Sequence, residues 1–197
     1  MTRSIKQHTA LTLRSLPLHA GQNGGLDDQA KRYLLAFTLI ASFASSTAPA
    51  ETPDEWIKLG TRIHGFFGSY LVVGIRIGLD ALARLHAQPR GVTVVYYSGP
   101  KSPCPCPADG IAIATVASVG QGTLQLSPEK APADAMGVAV IRSKATGAGL
   151  KYTIPASWLP RLDEINKDGY ALGRFNAVMN APGLFTAETL PTDAPKK

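Results

Sequence analysis

The first predicted element lies just after residue 50, where apolar and polar positions follow a helical period. Thr52 has the chemistry of an N-cap, Pro53 suits the first helical position, and two acidic residues follow in the first turn. The next apolar residues share roughly one helical face: Trp56, Ile57, Leu59 and Ile63. The pattern therefore predicts an amphipathic helix that begins beside Thr52.

A second helix is predicted from Phe67 to Leu85, because apolar residues fill most of this segment. Charged residues recur in it at four-residue spacing: Arg76, Asp80 and Arg84. We expect this charged stripe to face solvent while the rest of the helix is buried. Gly74 and Gly78 remove two side chains from one face, which permits the close approach of another helix. That helix belongs either to the same chain, which is the simpler interpretation, or to a second copy in a homodimer.

Strands are predicted after residue 90, where β-branched and aromatic residues are frequent. Gly91–Tyr97 is the first strand, and Ser98-Gly99-Pro100 ends it. After a proline-rich loop, Asp109–Val119 is predicted as a short helix that ends at Gly120. Asp163–Phe175 is predicted as a last helix. Three further strands lie between these two helices: Thr123–Leu126, Met136–Ser143 and Leu150–Ile154.

This order predicts an α+β fold: helix, helix, strand, helix and then three strands, with the helices packed on a mixed or mostly antiparallel sheet. Residues 51–190 are predicted to form a single domain. The whole chain has 197 residues, of which 45% are hydrophobic and 17% charged, and this composition suits one globular core. We expect residues 191–197 to be a loose tail.

The first fifty residues have the organisation of an export signal. Lys31 and Arg32 precede an apolar segment, residues 33–43, and small residues then lead to Ala48-Pro49-Ala50. The apolar segment is shorter than the roughly 20 residues that a membrane-spanning helix needs. We therefore predict a signal peptide that is cleaved after Ala50. The mature protein is expected to be secreted or periplasmic, with no membrane span.

Net charge changes when this leader is removed. The formal charge falls from +6 to +3, because residues 1–50 contain five basic and two acidic residues. The mature chain has no cluster of Lys and Arg interleaved with aromatic residues, so its composition does not favour nucleic-acid binding. An exported protein meets oxidising conditions, in which two cysteines form a disulfide, bind a metal or need protection.

The two cysteines of the chain, Cys104 and Cys106, lie in the proline-rich loop just before the helix predicted to begin at Asp109. Two sulfurs and a carboxylate therefore meet at one loop-to-helix junction. A cysteine near a helix N-terminus gains thiolate character, and a second cysteine two residues away can act as its resolving partner. This junction is the part of the sequence with the richest chemistry.

Two segments carry a family resemblance. His64, Gly65 and Gly74 agree in spacing with the motif His-Gly-His-x-Cys-Pro-Gly-x-x-x-Gly. A second motif, which begins Cys-Pro-x-Asp-Gly-Ile, is matched by a longer set: Cys106, Pro107, Asp109, Gly110, Ile111, Thr115, Gly120, Gly122 and Leu124. Both motifs belong to the formylmethanofuran dehydrogenase E-subunit family. The chain resembles the core domain of that family over about residues 55–155.

Some positions depart from these motifs. Phe66 stands in place of the second histidine of the family, Gly68 and Ala117 in place of two cysteines, and Gln121 in place of a lysine. Family members often carry a C-terminal cysteine-based zinc finger, whereas this sequence has no cysteine after Cys106. We therefore expect the family core with degenerate cysteine motifs and without that zinc finger.

The resemblance implies that the loop with Cys104 and Cys106 approaches the turn with His64, and that Asp109 begins a helix beside them. Two thiolates, an imidazole and a carboxylate are ligand types that Zn²⁺ and other transition metals select. These four residues are the predicted metal ligands. Alternatively, Cys106 is a small buried residue and Asp109 only caps backbone N–H groups of its helix.

The predicted function is that of an exported accessory module that binds a metal ion or a small ligand, with Gly65 and Gly110 contributing to the ligand site. The resemblance implies a link to one-carbon or metal-dependent redox metabolism and no independent catalytic activity. One alternative is a thiol-redox protein that uses Cys104 and Cys106. Another is a structural domain that binds an unknown protein partner, or dimerises through the helix with the paired glycines.

Overall fold

The computed structural model describes residues 51–193, and within this range the chain forms five α-helices, one short 3₁₀ helix and a five-stranded sheet. The α-helices are α1 Pro53–His64, α2 Ser69–Arg84, α3 Cys106–Thr115, α4 Leu159–Asn166 and α5 Ala171–Met179. The strands are β1 Val92–Ser98, β2 Leu124–Leu126, β3 Ala135–Ser143, β4 Gly149–Pro155 and β5 Thr186–Leu190. The 3₁₀ helix, Ala156–Trp158, joins β4 to α4. The α+β class is confirmed. The predicted leader and its cleavage site lie outside the described residues.

The first helix begins where the sequence predicts, and its cap explains why. The Thr52 hydroxyl accepts a hydrogen bond from the Glu55 N–H, and the Glu55 carboxylate accepts one from the Thr52 N–H. This reciprocal capping box satisfies two backbone donors that the helix itself leaves free. The helix ends at His64, because Gly65 follows with a φ of 85°, a conformation that favours glycine.

The sheet is mixed, with the strand order β2-β1-β3-β4-β5. Strands β1 and β2 are parallel, and the other neighbouring pairs are antiparallel. Alternate residues of β1 are buried beneath the helices, namely Val92, Val94 and Tyr96. Thr93, Val95 and Tyr97 lie on the opposite face, which we call the outer face of the sheet.

The core helix α2 packs closely on α3, and glycines make this approach possible. A Cβ atom at Gly74 would lie 2.0 Å from the Pro107 carbonyl oxygen, and one at Gly110 would lie 2.0 Å from the Leu71 carbonyl oxygen. A Cβ at Gly78 would lie 2.7 Å from the Ala114 Cβ. The face of α2 with the paired glycines is therefore covered by a helix of the same chain. A homodimer through that face would have to displace α3.

Helix α3 begins and ends earlier than predicted. It begins at Cys106 instead of Asp109, and it ends at Thr115 because Val116 adopts a left-handed conformation with a φ of 54°. The prediction that Gly120 ends this helix is wrong. The Thr115 hydroxyl donates to the Ile111 carbonyl, and the Thr115 carbonyl accepts from the Arg90 N–H, so the last turn is satisfied by other means.

The C-terminal part departs most from the sequence prediction. The single helix expected over 163–175 is two helices, α4 and α5, separated by a break around Gly169. Strand β5 was not predicted at all, because its threonines and glutamate lack the apolar alternation of a half-buried strand. Part of the expected loose tail is anchored, since Arg142 donates a hydrogen bond to the Pro191 carbonyl. Residues 194–197 lie outside the described range.

The charged stripe on α2 points largely inward. Arg76 donates hydrogen bonds to the carbonyls of Val178 and Ala181, and Asp80 accepts one from the Tyr152 hydroxyl at 2.6 Å. The expectation that this stripe faces solvent is therefore wrong for Arg76 and Asp80. Their polar groups link the core helix to the C-terminal segment and to the sheet.

Within the described range, no single helix is long and apolar enough to cross a bilayer. Helices α1 and α2 reach the necessary length and composition only when taken together, and they meet at a bend of 117°.

Candidate functional site

One long-range polar contact joins the end of α1 to the start of α3. The Nδ1 atom of His64 lies 2.8 Å from Oδ2 of Asp109. The His64 side chain is 21% exposed and the Asp109 side chain 49%. Because a carboxylate only accepts hydrogen bonds, Nδ1 must carry the proton of this bond. In the neutral imidazole this leaves the Nε2 lone pair free for a proton or a metal.

This contact bears on the alternative role of Asp109 as a helix cap. The N-cap position of α3 is Pro105, and no side chain caps the helix there. The Asp109 carboxylate is instead directed to His64. The negative charge still lies in the first turn, where the helix dipole favours it. Asp109 therefore links two helices and does not serve only as a cap.

The two cysteines form a disulfide, with their Cα atoms 5.2 Å apart. Both residues are partly buried against the main hydrophobic core. The Ser102 hydroxyl donates to the Cys104 carbonyl, and the Ala108 N–H donates to the Pro105 carbonyl, so the loop between the sulfurs is internally bonded. Cys106 is the first residue of α3. One sulfur of the disulfide therefore belongs to the residue at the positive end of a helix dipole.

Helix geometry places the disulfide and the polar pair at the same end of α3. Cys106 and Asp109 are three residues apart, and side chains at that spacing are neighbours on a helix surface. We call Cys104, Cys106, His64 and Asp109 together the junction site. The structure gives this site two direct contacts, one between the sulfurs and one between His64 and Asp109.

A buried arginine holds the turn that follows His64, and sequence reasoning missed it. The Arg174 side chain lies over the ring of Phe66, with its guanidinium carbon 4.9 Å from the ring centre. Its Nε donates to the Phe67 carbonyl at 2.8 Å, and Nη1 donates to the Asp168 carbonyl. Such a fork ties the turn to α5. The sequence offers no local signal for this role, because Arg174 lies 110 positions after His64.

The two glycines predicted to contribute to ligand binding have other visible roles. Gly65 is exposed and supplies the positive φ that ends α1. Gly110 is buried where α3 meets α2, and its missing side chain makes room for the Leu71 carbonyl. A contribution of either backbone to ligand binding stays a prediction.

The junction site does not fit a metal ion in its disulfide form. A sulfur in a disulfide is not a thiolate, so the site then offers only an imidazole and a carboxylate. Over residues 51–193, no group of three or more His, Cys, Asp or Glu side chains is arranged to hold a metal. Metal binding at this site therefore requires the reduced cysteines.

The fold and the junction site together define a class: an α+β domain in which a buried helix packs on a mixed sheet, with cysteine, histidine and aspartate side chains at a helix start. The family model described as "FmdE, Molybdenum formylmethanofuran dehydrogenase operon" matches residues 63–174, which is more than half of the chain. The chain therefore belongs to the FmdE family, and the resemblance found in its sequence motifs is confirmed.

One similar solved structure is an FmdE-like protein of tungsten formylmethanofuran dehydrogenase from Syntrophus aciditrophicus. Its sequence is 17% identical to this chain, and the superposition has a TM-score of 0.47. The match covers 72% of this chain and 73% of that one. The comparison with curated proteins gave no match.

Proposed function

We propose that this protein is an exported accessory module of the FmdE family whose junction site is a reversible thiol–disulfide couple. The observation that carries this proposal is the Cys104–Cys106 disulfide at the start of α3. Both cysteines are partly exposed, so a reductant can reach a sulfur without unfolding the core. The sequence pattern of residues 1–50 supports export, and an exported compartment favours disulfides.

The chemistry needs a partner with two thiols. A partner thiolate attacks one sulfur of the disulfide, forms a mixed disulfide and expels the other sulfur as a thiolate. The second partner thiol then attacks the mixed disulfide and releases the second cysteine. The partner ends as a disulfide and the module as a dithiol, so electrons and protons balance. Expulsion of Cys106 is favoured, because the N-terminus of α3 stabilises its negative charge.

His64 supports this chemistry as a proton carrier. Asp109 holds Nδ1 of the ring, which leaves Nε2 to accept a proton from a cysteine thiol or to return it to a thiolate. Asp109 is therefore the positioning residue for this imidazole. The accessory role follows from the same inventory, because the junction site has electrons and protons to exchange but no further catalytic group.

The experiment is a redox titration of the full chain in dithiothreitol buffers, followed by thiol alkylation and intact-mass measurement. We expect one two-electron transition in which unmodified and doubly alkylated chains are the only major species. Cys106→Ser should abolish the transition, and an exposed Ser102→Ala variant should keep it. Two thiols that are alkylated independently, or that stay reduced in air, would disprove the couple.

A second candidate function is metal binding by the reduced module, and the His64–Asp109 contact favours it. A metal-binding histidine commonly donates its other ring N–H to a carboxylate, which fixes the ring orientation. Asp109 has this relation to His64. Cys104, Cys106 and His64 are then the proposed ligands of Zn²⁺ or another transition metal, with Asp109 as the group that orients the imidazole.

Zinc titration by calorimetry tests this second candidate. We expect about one Zn²⁺ per chain when the cysteines are reduced, and no binding at the same concentrations when they are oxidised. His64→Asn should weaken binding, and His86→Asn is the matched control because that histidine is exposed at the other end of α2. Equal binding by the oxidised and reduced proteins would remove the cysteines from the site.

A further inference from the structure

A cavity of about 650 Å³ lies on the outer face of the sheet, away from α2, α3 and the junction site. Val95 of β1 and Val140 of β3 are paired neighbours and form an apolar floor for it. Proteins commonly bind small molecules in cavities of roughly 300–1,000 Å³ with an apolar lining and few polar groups. The size and the floor of this cavity fit that description.

Two fixed cations border the cavity. Arg142 Nη1 donates to the carbonyls of Gly147 at 3.2 Å and Pro191 at 2.9 Å, which fixes the guanidinium. Lys144 Nζ donates to the Arg90 carbonyl at 2.9 Å. Because backbone carbonyls hold both side chains, the positive charges keep their position without a ligand.

The chain itself supplies a carboxylate to this cavity. Oδ2 of Asp193 lies 3.0 Å from Nε of Arg142, and the Asp193 side chain also lines the cavity. The Asp193 side chain is 64% exposed, and an exposed ion pair is worth only about 0–1 kcal/mol. A stronger carboxylate ligand can therefore displace it. The bound aspartate marks the position that such a carboxylate would take.

We propose that this cavity binds a small monocarboxylate with an apolar chain. The ligand carboxylate replaces Asp193 on Arg142, with Lys144 as a second positive charge. The apolar chain lies on Val95 and Val140. Asp193 competes with the ligand for the same guanidinium, so the C-terminal segment sets the affinity. This proposal does not depend on the redox or metal chemistry of the junction site.

The test uses hexanoate as the probe and the ¹⁵N-labelled full chain observed by NMR. We expect saturable shifts of the backbone amides of Val95, Val140 and Arg142 on hexanoate addition. The neutral analogue 1-hexanol should bind at least about tenfold more weakly, because a hydrogen bond between charged groups is lost. Inorganic phosphate should compete weakly, since it lacks the apolar chain. Equal binding of hexanol and hexanoate would overturn the proposal.

Two variants sharpen the test. Asp193→Ala removes the competing carboxylate at an exposed position and should tighten hexanoate binding by about twofold to fivefold. Asp134→Ala is the matched control, because this aspartate is exposed and does not line the cavity. Arg142→Gln should abolish saturable binding. If Asp193→Ala binds hexanoate no better than Asp134→Ala does, Asp193 does not compete and the proposal fails, whatever the folding of the arginine variant.

Discussion

His64 and Asp109 are 45 positions apart in the chain, yet Nδ1 of the histidine lies 2.8 Å from Oδ2 of the aspartate. The contact depends on the close packing of α3 on α2, which Gly74 and Gly110 permit. It also depends on Gly65, whose positive φ ends α1 directly after the histidine. The residues shared with the family motifs thus include the packing glycines as well as the polar groups they bring together.

The first prediction concerns the tautomer of His64. In Asp109→Asn the neutral amide no longer favours the Nδ1–H form, so the neutral imidazole should shift toward Nε2–H. Stability should fall by only about 0.5–1 kcal/mol, because the pair is partly exposed. Ring ¹⁵N chemical shifts at alkaline pH measure the tautomer, and Asp134→Asn is the control. An unchanged tautomer in Asp109→Asn would show that the carboxylate does not position the ring.

The second prediction tests the glycine contact between the two helices. Gly74→Ala should destabilise the protein by about 3 kcal/mol, because its Cβ would overlap backbone atoms of α3 that cannot move alone. Gly120→Ala is the matched control, since no atom lies within 4 Å of its Cβ position. It should change stability by less than about 0.5 kcal/mol. Urea denaturation measures both, and similar midpoints for the two variants would contradict the packing.

The third prediction contrasts two fully buried tyrosines. The Tyr96 hydroxyl has no hydrogen-bond partner among residues 51–193, so Tyr96→Phe should stabilise the protein by about 1 kcal/mol. The Tyr152 hydroxyl donates to Asp80, so Tyr152→Phe should destabilise it by about 2 kcal/mol. Chemical denaturation at pH 7 measures the two changes. The same sign for both variants would contradict this account.

The fourth prediction concerns alkaline pH. Burial raises the pKa of Tyr96 above its usual value of 10.0. Tyr96 therefore stays protonated in the folded protein at a pH where the unfolded chain loses that proton. Its contribution to stability is complete below about pH 10 and is lost as the pH rises further, by about 1.4 kcal/mol per pH unit.

Denaturation curves between pH 8 and pH 11 measure this slope. Tyr96→Phe should reduce the slope above pH 10 by about that one-proton amount. Tyr170→Phe is the matched control, because the Tyr170 ring is 79% exposed. Parallel curves for the wild type and Tyr96→Phe would show that the buried hydroxyl does not contribute.

Local sequence signals predicted those elements whose residues carry the whole signal. The capping residues of α1 and the β-branched run of β1 are of this kind, and the two family motifs gave the α+β core. The end of α3 at Val116 could not be predicted, because a left-handed valine has no sequence signature. Strand β5 was missed because its pairing with β4, not its own apolar pattern, makes it a strand.

The junction site was predicted in part. The motifs pointed to His64, Asp109 and Cys106 together, and the structure adds the direct contact between the first two. Arg174 could not be found from sequence, because a single arginine in a helix gives no sign that it will be buried over Phe66. Long-range contacts of this kind depend on the packed fold.

The central claim is that His64 and the cysteines belong to one site, and thiol alkylation kinetics test it most directly. Cys104→Ser leaves Cys106 as the single thiol of the chain, and its rate with iodoacetamide is measured across pH 6–9. Adding His64→Asn should change this rate by about threefold or more, because an adjacent imidazole alters the thiolate fraction. Adding His86→Asn should leave it unchanged. If the His64 and His86 variants give the same pH profile, the imidazole and the sulfur do not share a site.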